Sequence, residues 1–87
     1  MYDFTIIVPV YNEEDNLNRV EKELLAYTNI AIKKTAILFV NDGSLDTSLA
    51  MIEAICDKNE AFGYISFKNN KGLSAALKQG LIMCLQI

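Results

Sequence analysis

Two short polar stretches in this chain carry residue types able to hold a ligand, and each follows an apolar run. The first is Pro9-Val10-Tyr11-Asn12-Glu13-Glu14 and the second is Asn41-Asp42-Gly43-Ser44-Leu45-Asp46-Thr47. Carboxylates at Glu13, Glu14 and Asp42 would repel a bare phosphate. They suit sugar hydroxyls, a nucleobase N–H, or a metal ion that bridges to phosphate. Each also has an ordinary structural reading. Glu13 and Glu14 can serve as acidic first-turn residues at the positive end of a helix dipole, and Asp42 can be a turn carboxylate. Asp46 already supplies a capping residue in that turn, so Asp42 is surplus to it. Tyr11 is amphipathic and can stack on a base or pack on the following helix. A third stretch, Lys68-Asn69-Asn70-Lys71-Gly72, is basic and turn-rich. Its lysines can neutralise an anionic ligand or simply be solvated.

The elements that must position these stretches follow from periodicity. Asp3 to Val10 contains the consecutive β-branched run Ile6-Ile7-Val8, as in a strand buried on both faces. Pro9 lacks a ladder donor, so the regular strand is expected to end near it. Leu17, Val20, Leu24 and Tyr27 recur at helical spacing and predict a helix from about Glu13 to Tyr27, with Asn12 as its cap. Thr28 to Thr35 reads as a connection and Ala36 to Val40 as the second strand. A second helix begins at Asp46 or Thr47, with Leu49, Ile52 and Ile55 or Cys56 inward, and closes over Asp57 to Glu60. Phe62 to Phe67 is a third strand. Leu73, Ala76, Leu77, Gly80, Leu81 and Cys84 make one apolar face of a third helix. The order β-α-β-α-β-α implies an α/β, three-layer, Rossmann-like parallel sheet with right-handed crossovers and strand order 3-2-1. All three polar stretches then emerge at its carboxyl edge, where α/β proteins bind ligands.

Composition narrows the classes. The 87 residues are enough for one domain. The net charge of −3 gives no support to nucleic-acid binding. Histidine is absent, which removes histidine catalysis and ligation within the chain. Cys56 and Cys84 have no metal-ligand spacing and read as small apolar core residues in a reducing compartment. No apolar run approaches the roughly 20 residues of a membrane span, and the N-terminus lacks a signal-peptide pattern. The cytoplasm is the expected location. The 52% hydrophobic content is generous for this length and points to a full core or to apolar surface awaiting a partner.

Ile7-Val8-Pro9-Val10-Tyr11-Asn12-Glu13-Glu14 and Val40-Asn41-Asp42-Gly43-Ser44-Leu45-Asp46-Thr47 resemble the two N-terminal motifs of family 2 glycosyltransferases, which have the GT-A fold. The stretch from Asn69 to Gly80 resembles the family's third segment, an asparagine and glycine before an alanine-rich helix. The resemblance spans the chain. It implies binding of a nucleotide-activated sugar, UDP- or GDP-linked, for transfer to an acceptor. By the same resemblance Pro9, Tyr11 and Glu13 border the base and ribose, Asp42 hydrogen-bonds the base, and Lys71 approaches the nucleotide. Asn41 stands where many members have a second aspartate. The family's Asp-x-Asp motif, which holds Mn²⁺ or Mg²⁺ on the diphosphate, and its acceptor half with the catalytic base are not matched by residues 1–87. The resemblance therefore implies a partial nucleotide-sugar-binding domain that is catalytically incomplete alone, with no catalytic residue or metal ligand of its own. Its parent could sit at the cytoplasmic face of a membrane.

Two other readings compete. A receiver-like α/β binding module would need an aspartate pair after the first strand and an aspartate after the third, where this chain has glutamates and Lys68. A dehydrogenase half would need a glycine-rich first loop, and that loop has no glycine. In strand order 3-2-1 the first strand is an edge with unpaired backbone groups. Self-association is therefore expected, as a dimer formed by edge pairing of Asp3–Val10 or through apolar surface.

Overall fold

A computed structural model describes residues 2–69 and the backbone of 83–86. The elements run β1 (Phe4–Val10), α1 (Leu17–Ile30), β2 (Thr35–Asp42), α2 (Ser48–Lys58), β3 (Phe62–Phe67) and β4 (Met83–Gln86). The sheet order is β3-β2-β1-β4. The strands β1, β2 and β3 are parallel, with Ile6 opposite Ile37 and Ile37 opposite Phe62. The chain thus has the α/β, Rossmann-like parallel sheet in order 3-2-1.

Both crossovers move in the same direction across the sheet, so right-handed connections place α1 and α2 on one face. The side chains agree. Ile6, Val8 and Val10 from β1, Ile37 and Phe39 from β2, and Phe62 from β3 form one cluster with Leu17 and Leu24 of α1 and Ile52 and Ile55 of α2. Alternation along each strand sends these residues to the same face. Phe39 and Phe62 meet as a tilted pair with ring centroids 6.1 Å apart. Burying each such side chain stabilises the fold by about 1.5–3 kcal/mol.

Several boundaries differ from the periodicity reading, some by a single residue. Helix α1 starts at Leu17 and extends to Ile30. Asn12 has a φ of 52°, which no helix accommodates. The carbonyl of Glu13 nevertheless accepts from the amides of Asn16 and Leu17, so the approach to α1 is already a tight turn. Tyr27, placed on the inward face by spacing, is 44% exposed, and Leu25 packs against the core in its stead. Strand β2 does not stop at Val40. Asn41 and Asp42 continue it, because Ser66 and Phe67 of β3 extend far enough to pair with them.

The larger correction concerns the sheet edge. Residues 70–82, which include Lys71 and most of the third expected helix, lie outside the described residues. Cys84, the last inward position of that helix, belongs instead to β4. This strand pairs antiparallel with β1, Gln86 opposite Phe4 and Met83 opposite Ile7. Strand β1 is therefore interior over Phe4–Ile7 and not the open edge that its position in order 3-2-1 implied. The physical reason is the demand of its backbone: unpaired amides and carbonyls in an apolar strand need partners, and a second strand supplies them more fully than a helix can.

Candidate functional site

The carboxyl ends of β1 and β2 bring the two polar loops against each other. Three consecutive amides of the first loop donate to side chains of the second. Asn12 N–H reaches Ser44 Oγ at 3.0 Å, Glu13 N–H reaches Ser48 Oγ at 2.9 Å, and Glu14 N–H reaches Asp46 Oδ2 at 3.2 Å. Bonds also run the other way. Leu45 N–H donates to Asn12 Oδ1 at 2.8 Å, and the Thr47 amide and hydroxyl both donate to Glu14 Oε1, at 2.9 and 2.7 Å. A first loop that cradled a pyrophosphate would present such amides to the ligand. Here they are already taken, which agrees with the absence of glycine in that loop.

This contact reassigns several residues. Asn12 makes no helix cap; it joins the loops from a left-handed backbone that asparagine tolerates better than most residues. Glu14 is engaged with Thr47. Asp46 accepts from Ser48 N–H at 2.8 Å, as a residue ahead of a helix should, and also from Glu14. Partial desolvation works to raise its pKa, and hydrogen bonds from the Ser48 hydroxyl and amide and from the Glu14 amide outweigh it, so the carboxyl titrates below the ordinary aspartate range. The roles of Ser44 and Ser48 were not legible in the sequence. The one available signal was Asn12 itself, an asparagine in a short loop between a strand and a helix.

Of the residues matched by the family motifs, Pro9, Tyr11, Glu13 and Asp42 all lie at this edge. Pro9 is buried at the end of β1, opposite Val40 in the β2 register. Tyr11 and Glu13 are half-buried in the loop that follows. The Glu13 carboxylate accepts from Asn16 Nδ2 at 2.9 Å. Asp42 is fully enclosed at the end of β2. Strand alternation parts it from its neighbour. Asn41 turns to the helix-covered face, where its Nδ2 donates to Ser66 Oγ at 3.0 Å, while Asp42 turns to the opposite face, which Pro9 and Val40 share. Lys71 lies outside the described residues, and Lys68 is exposed beyond the end of β3.

A recess of about 170 Å³ runs beside the same edge, lined by Pro9, Val10, Glu13, Asn16, Arg19 and Val20 among others. It is smaller than the roughly 300 Å³ at which ligand pockets begin. Among the described residues no three carboxylates or thiols converge as a metal set. Glu14 and Asp46 already accept hydrogen bonds from protein groups. No helix among them is long and apolar enough to cross a membrane.

Comparison with known proteins bears on the same residues. Positions 5–85 match the family described as Glycosyl transferase family 2, a span that takes in both loops. The chain is 32% identical over 79 residues to the dolichol-phosphate mannosyltransferase of Saccharomyces cerevisiae, covering 90% of this chain and 30% of that protein. It is 31% identical over 88 residues to a poly-beta-1,6-N-acetyl-D-glucosamine synthase of Staphylococcus aureus, covering 93% of this chain and 20% of the relative. A prophage bactoprenol glucosyl transferase homolog of Escherichia coli is 31% identical over 77 residues, covering 88% of this chain and 25% of the relative. The chain thus spans a third or less of the length of these relatives.

Proposed function

From the premise that the chain belongs to glycosyl transferase family 2, we propose that it supplies the nucleotide-sugar-binding part of an enzyme that transfers a sugar from a UDP- or GDP-sugar to an acceptor. The observation that carries this reading is the placement of Asp42 at the carboxyl edge of β2, on the face it shares with Pro9, with the Tyr11 loop beside it. Asp42, enclosed at the strand end, accepts from a base N–H once the groups covering it give way, Tyr11 and the rim of Pro9 offer apolar contact to the base and ribose, and Glu13 accepts from ribose hydroxyls. With the first-loop amides occupied by Ser44, Ser48 and Asp46, the diphosphate takes its positive partners elsewhere, and Lys71 is the candidate. In the whole enzyme a divalent metal is the natural Lewis acid for a leaving diphosphate, with ligands outside the described residues.

The relatives are named for a dolichol phosphate, a bactoprenol and a poly-N-acetylglucosamine. The acceptor of this chain's enzyme belongs to the same range, and a location at the cytoplasmic face of a membrane fits the two lipid-linked cases.

Titration calorimetry with UDP and with GDP tests the reading. Asp42→Ala should weaken binding by about 1.5–3 kcal/mol, the range for a hydrogen bond to a charged group. Asp46→Ala should leave affinity far less changed. Nucleotide affinity equal to wild type in a folded Asp42→Ala protein would overturn the assignment.

A further inference from the structure

The bonds between the two loops come in reciprocal pairs. Asn12 donates its amide to Ser44 and accepts from Leu45; Glu14 donates its amide to Asp46 and accepts from Thr47. A single hydrogen bond leaves a hinge, whereas a reciprocal pair fixes orientation as well as distance. Most of these groups are solvent-exposed, so each bond adds modestly to stability. Their geometric consequence is larger. Tyr11 and Glu13 alternate with the two reciprocally bonded residues along one loop, and the Glu13 amide adds a one-way bond to Ser48 Oγ. Asp42 leads directly into the other through Gly43, whose φ of 71° is the second left-handed turn at this edge.

We propose that Asn12 and Glu14 are positioning residues that make the two loops one mechanical unit and so set Tyr11 and Glu13 against Asp42. They act through Ser44, Leu45, Asp46 and Thr47 and need not touch the ligand. The consequence for affinity rests on the nucleotide-sugar reading above; the coupling of the loops does not. Binding groups supported by a fixed surrounding shell hold their geometry to a fraction of an ångström, and displacement of that shell is felt at the ligand.

Three variants of the 87-residue chain separate the possibilities. Asn12→Gly keeps the left-handed backbone and the amide but loses Oδ1. Asn12→Asp keeps an acceptor and tolerates the same backbone. Glu14→Ala removes the acceptor of Thr47. Amide hydrogen exchange and titration with UDP and GDP are measured below the melting range of every variant. The Leu45 amide should exchange faster in Asn12→Gly, and the Thr47 amide faster in Glu14→Ala, with Phe39 unchanged. Nucleotide affinity should fall on the order of tenfold in both, the effect of losing roughly one hydrogen bond's worth of order. Asn12→Asp should restore it to within about threefold of wild type. Unchanged exchange at Leu45 in Asn12→Gly overturns the coupling. Faster exchange with unaltered nucleotide affinity overturns the positioning role. Faster exchange in a chain whose wild type binds neither nucleotide upholds the coupling and removes the nucleotide reading instead.

Discussion

Asn41 and Ser66 meet across β2 and β3, the asparagine Nδ2 donating to the serine hydroxyl at 3.0 Å. The other half of the same amide is unsatisfied: Asn41 Oδ1 is buried with no hydrogen-bond partner among the described residues. A buried acceptor left without a partner costs about 1–3 kcal/mol, more than the one bond returns. Asn41→Leu keeps the branched shape, with somewhat larger methyl groups, and removes both polar atoms, leaving Ser66 to water. It should melt within about 0.5 kcal/mol of wild type or higher, because the unsatisfied buried acceptor is gone and the exposed Ser66 hydroxyl can bond to water. A denaturant series measures this; a loss above about 2 kcal/mol would mean that Oδ1 has a partner.

Asp46 contributes acid sensitivity at this edge. Its folded pKa lies below its unfolded value, so the carboxylate form is favoured by folding. That contribution is complete above the unfolded pKa, roughly 3.9, and disappears as pH falls through the lower folded value. The stability difference between wild type and Asp46→Asn should therefore be constant from neutral pH down to about 5 and shrink below about 4. Urea melts across this range check it, and a gap that widens toward acid would reverse the sign. Asp46→Ala, which also loses the bond to Ser48 N–H, should cost about 1 kcal/mol at neutral pH.

Strand β4 guards the backbone of β1. Removing residues 83–87 should expose Phe4–Ile7 and raise the association state, because unpaired apolar strands template pairing with other chains. Light scattering over a concentration series compares the two lengths. Equal masses, with the β1 amides equally protected from exchange, would show that β4 does not cover this edge. Association of the intact chain would then point to the other expected route, through exposed apolar side chains such as Ile30 and Ile32.

Core packing sets the reserve on which all of these changes draw. Ile52 is fully buried between α2 and the sheet. Ile52→Val should lower stability by about 0.5–1.5 kcal/mol. A thermal or urea midpoint equal to wild type would mean that the cluster relaxes around the missing methyl.

Much of the fold was legible in local pattern. Runs such as Ile6-Ile7-Val8 and Leu38-Phe39-Val40 can hardly be anything but buried strands, and Leu17, Val20 and Leu24 mark a helix face. Strand alternating with helix then leaves few topologies, since right-handed crossovers prune the arrangements of three parallel strands to a handful. The family motifs marked Pro9, Tyr11, Glu13 and Asp42, and all of them lie at the expected edge. What sequence alone could not decide were the partners of each backbone group. Whether Asn12 caps its own helix or grips Leu45, 33 positions away, depends on a distance created only when β1 and β2 align. The same holds for Cys84, whose helical spacing is a local preference while the free edge of β1 is a demand made by the assembled sheet. The split of Asn41 from Asp42 follows from β2 continuing through both, which only pairing with Ser66 and Phe67 imposes. Local side-chain chemistry determined most of the elements and the motifs marked the candidate residues; long-range hydrogen bonding, available only in the folded sheet, decided how those residues are held.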